Sequence, residues 1–559
     1  MLPNAEDYEP SRIYARRGTI SNVLLRNDGD PLSTQVMTAE QTWFRAGTDI
    51  RDINYQLRNV RGTDVSLLEA GNDIIGGTVQ VQGPGSVTLS TGRDVYGQAL
   101  SITTTGNRSF DGNNRPIVGT DIRGLPEQGA SISVMAGLQD KRPSYDAFIA
   151  AYLDPSRVAA MPAYLTTTLP DGTLVPFYLT DRSEERDGQH KLLRFGLVSF
   201  IEEKTGETLS PLEAWARFQS LPELVRHAFV NRVYMQELRE AGRDQLTPDS
   251  KGRPLNGGYN RGYAAIAALF PGEGWKGDVL GQSLTLRTMA GGGIEVLAPG
   301  GGLQVAALGA AIGDGQGLVA LGPGDISVFV KKSVTVNRSR VLTFGGGDET
   351  LWATLGDIDA GRGAKTARVP SAPEVATSVD AVTRVQERAD ISGSGIGTII
   401  GFAGVVQGDV DLVAPEGTVN AGDAGIRVAG NLNLAALHVL NAANIEVGGL
   451  SKGVPVIEAP NIGGLAEAGN TAGAAAQQAA PPQQRANEPS SVIIVEFLGF
   501  GGGDGEEERP RKREQRSQNP DSAVQIVGAG NLSSGALQRL TADERKRVVP
   551  ASSDDGLVH

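Results

Sequence analysis

A short phrase that keeps returning constrains this chain more than any other feature. Gly47-Thr48-Asp49-Ile50, Gly62-Thr63-Asp64-Val65, Gly71-Asn72-Asp73-Ile74 and Gly92-Arg93-Asp94-Val95 each run glycine, polar residue, aspartate, β-branched residue. Between them lie alternating apolar triplets: Val65-Ser66-Leu67, Val79-Gln80-Val81, Val87-Thr88-Leu89 and Leu100-Ser101-Ile102. Glycine permits a left-handed turn. Aspartate bonds the local backbone and stops a strand. The β-branched residue then opens the next strand facing inward. The same grammar returns from Gly277, with Gly277-Asp278-Val279, Leu284-Thr285-Leu286, Ile294-Glu295-Val296, Gly324-Asp325-Ile326 and Gly356-Asp357-Ile358. It returns again between Gly393 and Gly449, with Gly408-Asp409-Val410-Asp411-Leu412, Leu432-Asn433-Leu434 and Ile445-Glu446-Val447.

Three such triplets make a turn of roughly 20–25 residues, the size of a solenoid coil. Each strand then needs only its equivalent one coil away as a partner, and inward Val, Ile and Leu stack into ladders. A string of β-sandwiches, the main rival, needs longer strands and recognisable two-residue hairpins. Composition agrees with the coils, since 74 glycines and only 5% aromatics suit many short strands better than one large globular core. The expected fold is mainly β: a right-handed parallel β-helix with an inserted α-helical lobe.

The expected organisation is coils at 43–140, a helical insertion at 141–270, coils at 271–366, a polar, Pro-containing linker at 367–390 and coils at 391–460. Beyond these, 461–559 reads as low-complexity linker and charged tail, with one strand at 491–500. Coils of roughly 22 residues at about 4.8 Å each give a shaft on the order of 50 Å long. In the insertion, Asp146–Leu153 reads as helix. Ser210-Pro211-Leu212-Glu213 reads as a capping box with proline at the first helical position. Ser220-Leu221-Pro222-Glu223 repeats that signal, and Leu224, Ala228, Val233 and Leu238, with Val225 and Phe229 beside them, form an apolar stripe ending at Gly242 as C-cap. Trp215, Phe218 and Phe229 are expected to be buried against the other helices or the shaft.

The run Asn337-Arg338-Ser339-Arg340-Val341-Leu342-Thr343-Phe344-Gly345-Gly346-Gly347-Asp348, with Trp352 and Gly356–Thr366, resembles the C-terminal region of filamentous-haemagglutinin-family exoproteins, including its domain of undefined role. Glu237–Gly242 with Tyr259–Ile266 and Leu269–Gly272, and Gly408–Gly422 with Gly430–Gly449, support it. The likeness covers most of 45–455. It implies a β-helical shaft, two-partner secretion through an outer-membrane transporter, and adhesion at the bacterial surface, with host-cell glycans or surface receptors as partners. Met1–Asp7 has neither a basic region nor an apolar stretch, so it does not read as a signal peptide. The export signals are expected upstream, in a longer parent.

The chemistry that the residues exclude is broad. The chain has no cysteine, which removes disulfides, cysteine–zinc sites and thiol nucleophiles. A net charge of −13 argues against general nucleic-acid binding. Gly361-Arg362-Gly363-Ala364-Lys365-Thr366 lacks the contiguous Gly-Lys-Thr of a phosphate loop, so no nucleotide is expected. His190, His227, His438 and His559 fall in no metal spacing. Gly501–Gly505 is too short for a calcium repeat, and Arg509–Arg513 is neutralised by the glutamates around it. Polysaccharide hydrolysis would need two carboxylates across the bond. Asp325, Asp348, Asp357 and Asp359 are the acids that would have to line one face, yet each Gly-Asp stands in the repeated corner phrase. No catalytic, cofactor-binding or metal-ligating residue is assigned, and no cofactor is expected. The expected function is that of a secreted or surface-displayed adhesin segment without catalysis; the alternative is a β-helical polysaccharide hydrolase or lyase.

Overall fold

The corner glycines show how tightly the chain stacks on itself. The computed structural model describes residues 7–455 except 22, 26–30, 34, 108–121, 123, 140, 187–188, 194, 311–315, 364–366, 371–373, 378–382, 387–388 and 400–405. The tail at 461–559, with its expected strand at 491–500, lies outside the described residues. Gly47, Gly71 and Gly92 stack in successive coils. A Cβ on Gly71 would stand 2.4 Å from the Gly47 carbonyl oxygen, and one on Gly92 would stand 1.9 Å from that of Gly71. None of the three has positive φ, so the expectation of a left-handed turn at these positions is corrected. Glycine is required there because the coils approach too closely for any side chain.

The aspartates of the phrase also act between coils. The Asp94 N–H donates to Asp73 Oδ1 (3.0 Å) and the Asp278 N–H to Asp94 Oδ1 (2.8 Å). A second corner repeats this, with the Asp348 N–H on Asp325 Oδ1 (2.8 Å), the Asp409 N–H on Asp348 Oδ1 (2.7 Å) and the Asn431 N–H on Asp409 Oδ1 (2.8 Å). Each carboxylate thus accepts the amide that the next coil leaves unpaired at its turn. Asp64 is the exception that keeps the expected local bond, accepting from the Val60 and Arg61 amides (2.8 and 2.9 Å).

From these corners the chain builds a parallel β-solenoid with three faces, in which every described ladder of the main sheet is parallel. The first face stacks Ser11–Ala15, Thr42–Ala46, Val65–Ala70, Ser86–Thr91, Ser131–Met135, Ile294–Ala298, Ile326–Val330, Glu349–Ala353 and the starts of Val410–Asn420 and Leu432–Leu440. Ser451–Lys452 closes it. Eleven rungs at roughly 4.8 Å span about 48 Å. The pairing begins at Ser11, upstream of residue 43. Inward positions form apolar columns such as Leu89, Val134, Val296, Val328, Leu351 and Leu412, each at most 1% exposed. Ile50, Ile74 and Val95 face inward on the second face as their place in the phrase predicts, whereas Val65 turns outward and joins the cluster under the lobe.

Two insertions leave this frame. Between Met135 and Val279 the described residues include five α-helices: α1 (Tyr145–Tyr152), α2 (Leu197–Thr205), α3 (Pro211–Gln219), α4 (Glu223–Gln245) and α5 (Tyr259–Leu269). Ala367–Pro370 pairs antiparallel with Ala389–Ser392, and Glu374–Thr377 with Thr383–Gln386, so the stretch read as a linker carries strand pairing of its own.

The Glu213 carboxylate accepts from the Ser210 N–H (3.0 Å) and hydroxyl (2.6 Å), as the capping signal at α3 predicts. The second signal is corrected: Ser220 closes α3, and α4 begins at Glu223 with Pro222 as its N-cap and no side-chain cap. Gly242 is corrected too. It lies inside α4, where a Cβ would meet Val413 Cγ2 at 2.5 Å, so it serves close packing rather than helix termination. Phe218 and Phe229 are buried, and Trp215 is half-buried, stacked on Phe218 at 5.6 Å.

Candidate binding groove

On the first face, outward residues fall into parallel columns of opposite character. One reads Met135, Leu297, Phe329, Trp352, Val413 and Ala435 in successive coils. All six are buried, because α4 and α5 lie over them. Gly262 of α5 lets the chain approach so closely that a Cβ there would stand 2.5 Å from Trp352 Cη2. The neighbouring column reads Thr88, Ser133, Glu295, Ser327, Thr350 and Asp411. Burying an apolar column of this size stabilises by roughly 1.5–3 kcal/mol per large side chain, so the lobe is held by the same burial that forms the shaft.

An ionic seam fastens the far end. Arg239 of α4 places Nη1 2.9 Å from Asp348 and Nε 2.8 Å from Asp411, and Arg243 places Nε 2.8 Å from Asp411. Asp409 stands 3.7 Å from Arg239 and 3.6 Å from Arg243. Burial pushes the Asp411 carboxyl up, but Arg243 and Arg239 outweigh it and hold it below its usual range. Within the lobe, Arg261 of α5 binds Glu237 of α4 through two bonds (2.6 and 2.9 Å) and Asp244 through a third (2.9 Å). The Tyr178 hydroxyl donates to the same Glu237. Glu237, Arg239, Gly242, Arg261 and Gly262 lie in the Glu237–Gly242 and Tyr259–Ile266 stretches: Arg261 ties helix to helix, Arg239 ties helix to shaft, and the two glycines permit contact.

Where α4 and α1 overhang the polar column, a groove of about 1590 Å³ opens along the shaft. Its floor runs from Trp43 and Thr88 through Ser133, Glu295 and Ser327 to Thr350, and its lobe wall includes Tyr145, His227 and Asn231. Glu295 accepts from Ser133 Oγ (2.8 Å) and Asn231 Nδ2 (2.9 Å), tying floor to wall. Burial raises its carboxyl pKa, and these two bonds and Arg232 oppose the shift only in part. His227 stacks on Tyr145 with centroids 3.6 Å apart, and burial lowers its pKa to about 4, so the ring is neutral at neutral pH.

The four acids weighed from the sequence do not share a face. Asp325 and Asp348 stack at the corner that opens the first face and line the groove. Asp357 belongs to the corner of the second face, where it accepts the Thr418 N–H (2.7 Å), and Asp359 accepts the Gly361 N–H (2.8 Å). His438 lies on an exposed stretch, while His559, Ala364–Thr366, Gly501–Gly505 and Arg509–Arg513 fall outside the described residues. Among the described residues, no group of three histidines or acids is placed to hold a metal, and no helix is long and apolar enough to cross a membrane. Sequence reasoning missed Arg239 and Arg243 as anchors. Their four-residue spacing on α4 was the available signal.

Fold and surface together define a parallel β-solenoid shaft with a docked helical lobe. Residues 346–456, about a fifth of the chain, match a family model described as "Filamentous haemagglutinin family outer membrane protein". The segment covers the last coils of the shaft, and the resemblance read from Gly408–Gly422 and Gly430–Gly449 falls within it. No curated protein and no solved structure matches the chain.

Proposed function

We propose that this chain is an adhesive segment of a surface-displayed or secreted fibre, working by presenting its surface and not by catalysis. The observation that carries the reading is the match of 346–456 to a filamentous haemagglutinin family, on a chain whose remaining coils continue the same solenoid. An elongated stack spreads contacts over a long face, and many copies on one cell add avidity. On this reading the protein reaches the surface through an outer-membrane transporter of the two-partner type. The repeated corner aspartates do not call for a catalytic role, since accepting the next coil's amide is sufficient reason for them. The test is surface proteolysis of intact cells producing the protein, with and without the transporter, alongside cell-binding assays on the purified chain. Protease-accessible lobe on transporter-positive cells and saturable cell binding are the expected results. A chain that stays protected in both strains and binds no cells refutes the proposal.

A further inference from the structure

In a plain solenoid each coil touches only the coils on either side, so the stack opens from its ends, coil by coil. The lobe of this protein departs from that rule. Counted along the first face, Ser11–Ala15 is the first rung and Ser451–Lys452 the eleventh. The lobe leaves the shaft after Met135 on the fifth rung and returns at Val279 in the same coil. Its two connections pass so close that a Cβ on Gly137 would stand 1.5 Å from the Lys276 carbonyl oxygen. From that one attachment it reaches both ways. Toward the first coils, a Cβ on Gly62 would stand 2.6 Å from the Lys204 carbonyl oxygen of α2, and Val65 of the third rung joins the lobe's apolar cluster. Toward the last coils, α4 climbs the face. Asn231 bonds Glu295 on the sixth rung (2.9 Å), Tyr234 lies edge-on to Phe329 on the seventh (5.3 Å) and Arg239 bonds Asp411 on the ninth (2.8 Å). Just past the eleventh, a Cβ on Gly453 would stand 3.3 Å from Leu246 Cδ2. The pitch agrees: from Asn231 to Leu246 a helix rises about 22 Å, and five steps of roughly 4.8 Å cover about 24 Å.

We propose that the lobe is an axial brace, which couples the third to the eleventh rungs into one opening unit and keeps the shaft from being drawn out coil by coil under tension along its length. A coil in the braced stretch cannot leave the stack while the lobe stays docked. Its outward apolar residue is packed under the same helices as those of its neighbours: Leu297, Phe329, Trp352, Val413 and Ala435 are each at most 1% exposed. Undocking the lobe uncovers the whole column at once, so the burial it represents is shared by every braced coil rather than divided among them. The ionic seam adds to this at the end remote from the attachment, where leverage on the lobe is greatest. The inference goes beyond the adhesive reading and does not require it, because a brace serves any elongated fibre loaded along its axis.

The test is native-state amide exchange on the full chain, comparing wild type with Arg239→Met. The reporters are Val65–Ala70 on the third rung, five rungs from the nearest carboxylate of the seam, and Leu432–Ala435 on the tenth. In wild type both sets should exchange through one common opening, with the same dependence on added urea. In Arg239→Met the lobe undocks earlier, and both sets should accelerate, by on the order of tenfold or more. A stack coupled only between neighbours confines the acceleration to the rungs beside Asp411; unaltered exchange at Val65–Ala70 therefore overturns the inference. Pulling wild type from its two ends in an optical trap tests the brace without any substitution. One main rip spanning the braced rungs is expected. A ladder of coil-sized steps, each releasing roughly 22 residues or about 75 Å of chain, overturns the inference. Cell binding is measured separately, so loss of the brace leaves the adhesive proposal standing and loss of cell binding leaves the brace standing.

Discussion

Replacing Arg239 with methionine tests whether the seam between lobe and shaft is a fastening or a decoration. The seam holds three carboxylates, Asp348, Asp409 and Asp411, against two guanidiniums, Arg239 and Arg243. Arg239→Met raises its net charge from −1 to −2 in a site where Arg239 is 6% exposed and Asp411 is 1% exposed. Removing one partner of a buried ion pair costs about 3–5 kcal/mol, because a charge is left without compensation. The cost here should fall at the lower end, about 3 kcal/mol. Asp411 keeps Arg243 at 2.8 Å, and Asp348 keeps the Asp409 N–H at 2.7 Å. Arg243→Met should cost less, about 1.5–2 kcal/mol, since Asp411 then retains the Arg239 Nε bond. Combining Arg239→Met with Asp411→Asn returns the seam to −1 and should recover at least about 1 kcal/mol. Asp411 also makes the seam acid-sensitive. Its folded-state pKa is depressed, so its stabilisation is complete above the ordinary aspartate range and is lost as pH falls through the depressed value. The assay is urea unfolding followed by tryptophan fluorescence, with Trp352 reporting on lobe undocking, together with amide exchange along α4. Solenoids need not unfold as one unit, so an early transition confined to the lobe is expected in Arg239→Met. If that variant loses less than about 1 kcal/mol and α4 exchange is unaltered, water already screens these charges and the argument from burial fails.

Trp352→Ala should cost about 3–5 kcal/mol and open α5 to exchange, because it hollows the apolar column beneath Gly262; unchanged α5 exchange would contradict this. Glu349 occupies an inward position between Ile326 and Val410, where burial pushes its carboxyl well up, so it is neutral in the folded chain at mildly acidic pH. Its folded pKa exceeds its unfolded one, so wild type should lose stability relative to Glu349→Gln as pH rises above the ordinary glutamate range, by at most about 1.4 kcal/mol per pH unit; denaturation midpoints between pH 4 and 8 check the sign. Glu349→Val should stabilise the shaft at neutral pH by continuing the Ile326–Val410 ladder, which thermal melts would register. Gly92→Ala places a Cβ 1.9 Å from the Gly71 carbonyl oxygen and should unfold or shift the N-terminal coils, seen as lost amide protection around Ile74 and Val95.

Much of the shaft was legible because a solenoid writes its geometry locally. The period of the apolar triplets sets the coil, and alternation within Ile294–Ala298 or Ile326–Val330 decides which side chains point inward. Neither depends on the rest of the chain. The phrase Gly-x-Asp-Ile was legible as a corner, but its physics was not. Only stacked coils put the Gly71 carbonyl where a Cβ on Gly92 would be and the Asp278 amide within reach of Asp94. The same limit applied to the insertion. Sequence alone marked α1, α3 and the stripe of α4, and it misread Gly242 as an end because a close contact with Val413, 171 residues away, leaves no local trace. What only the tertiary structure decided is the division of the first face into a dry column under the lobe and a polar column beside it. Met135 and Ser133 are two residues apart on one strand and both point outward. Which of them meets a helix and which meets the groove depends on where a lobe inserted after that strand folds back, and that is set by Trp352, Phe329 and the Arg239 seam, far along the chain.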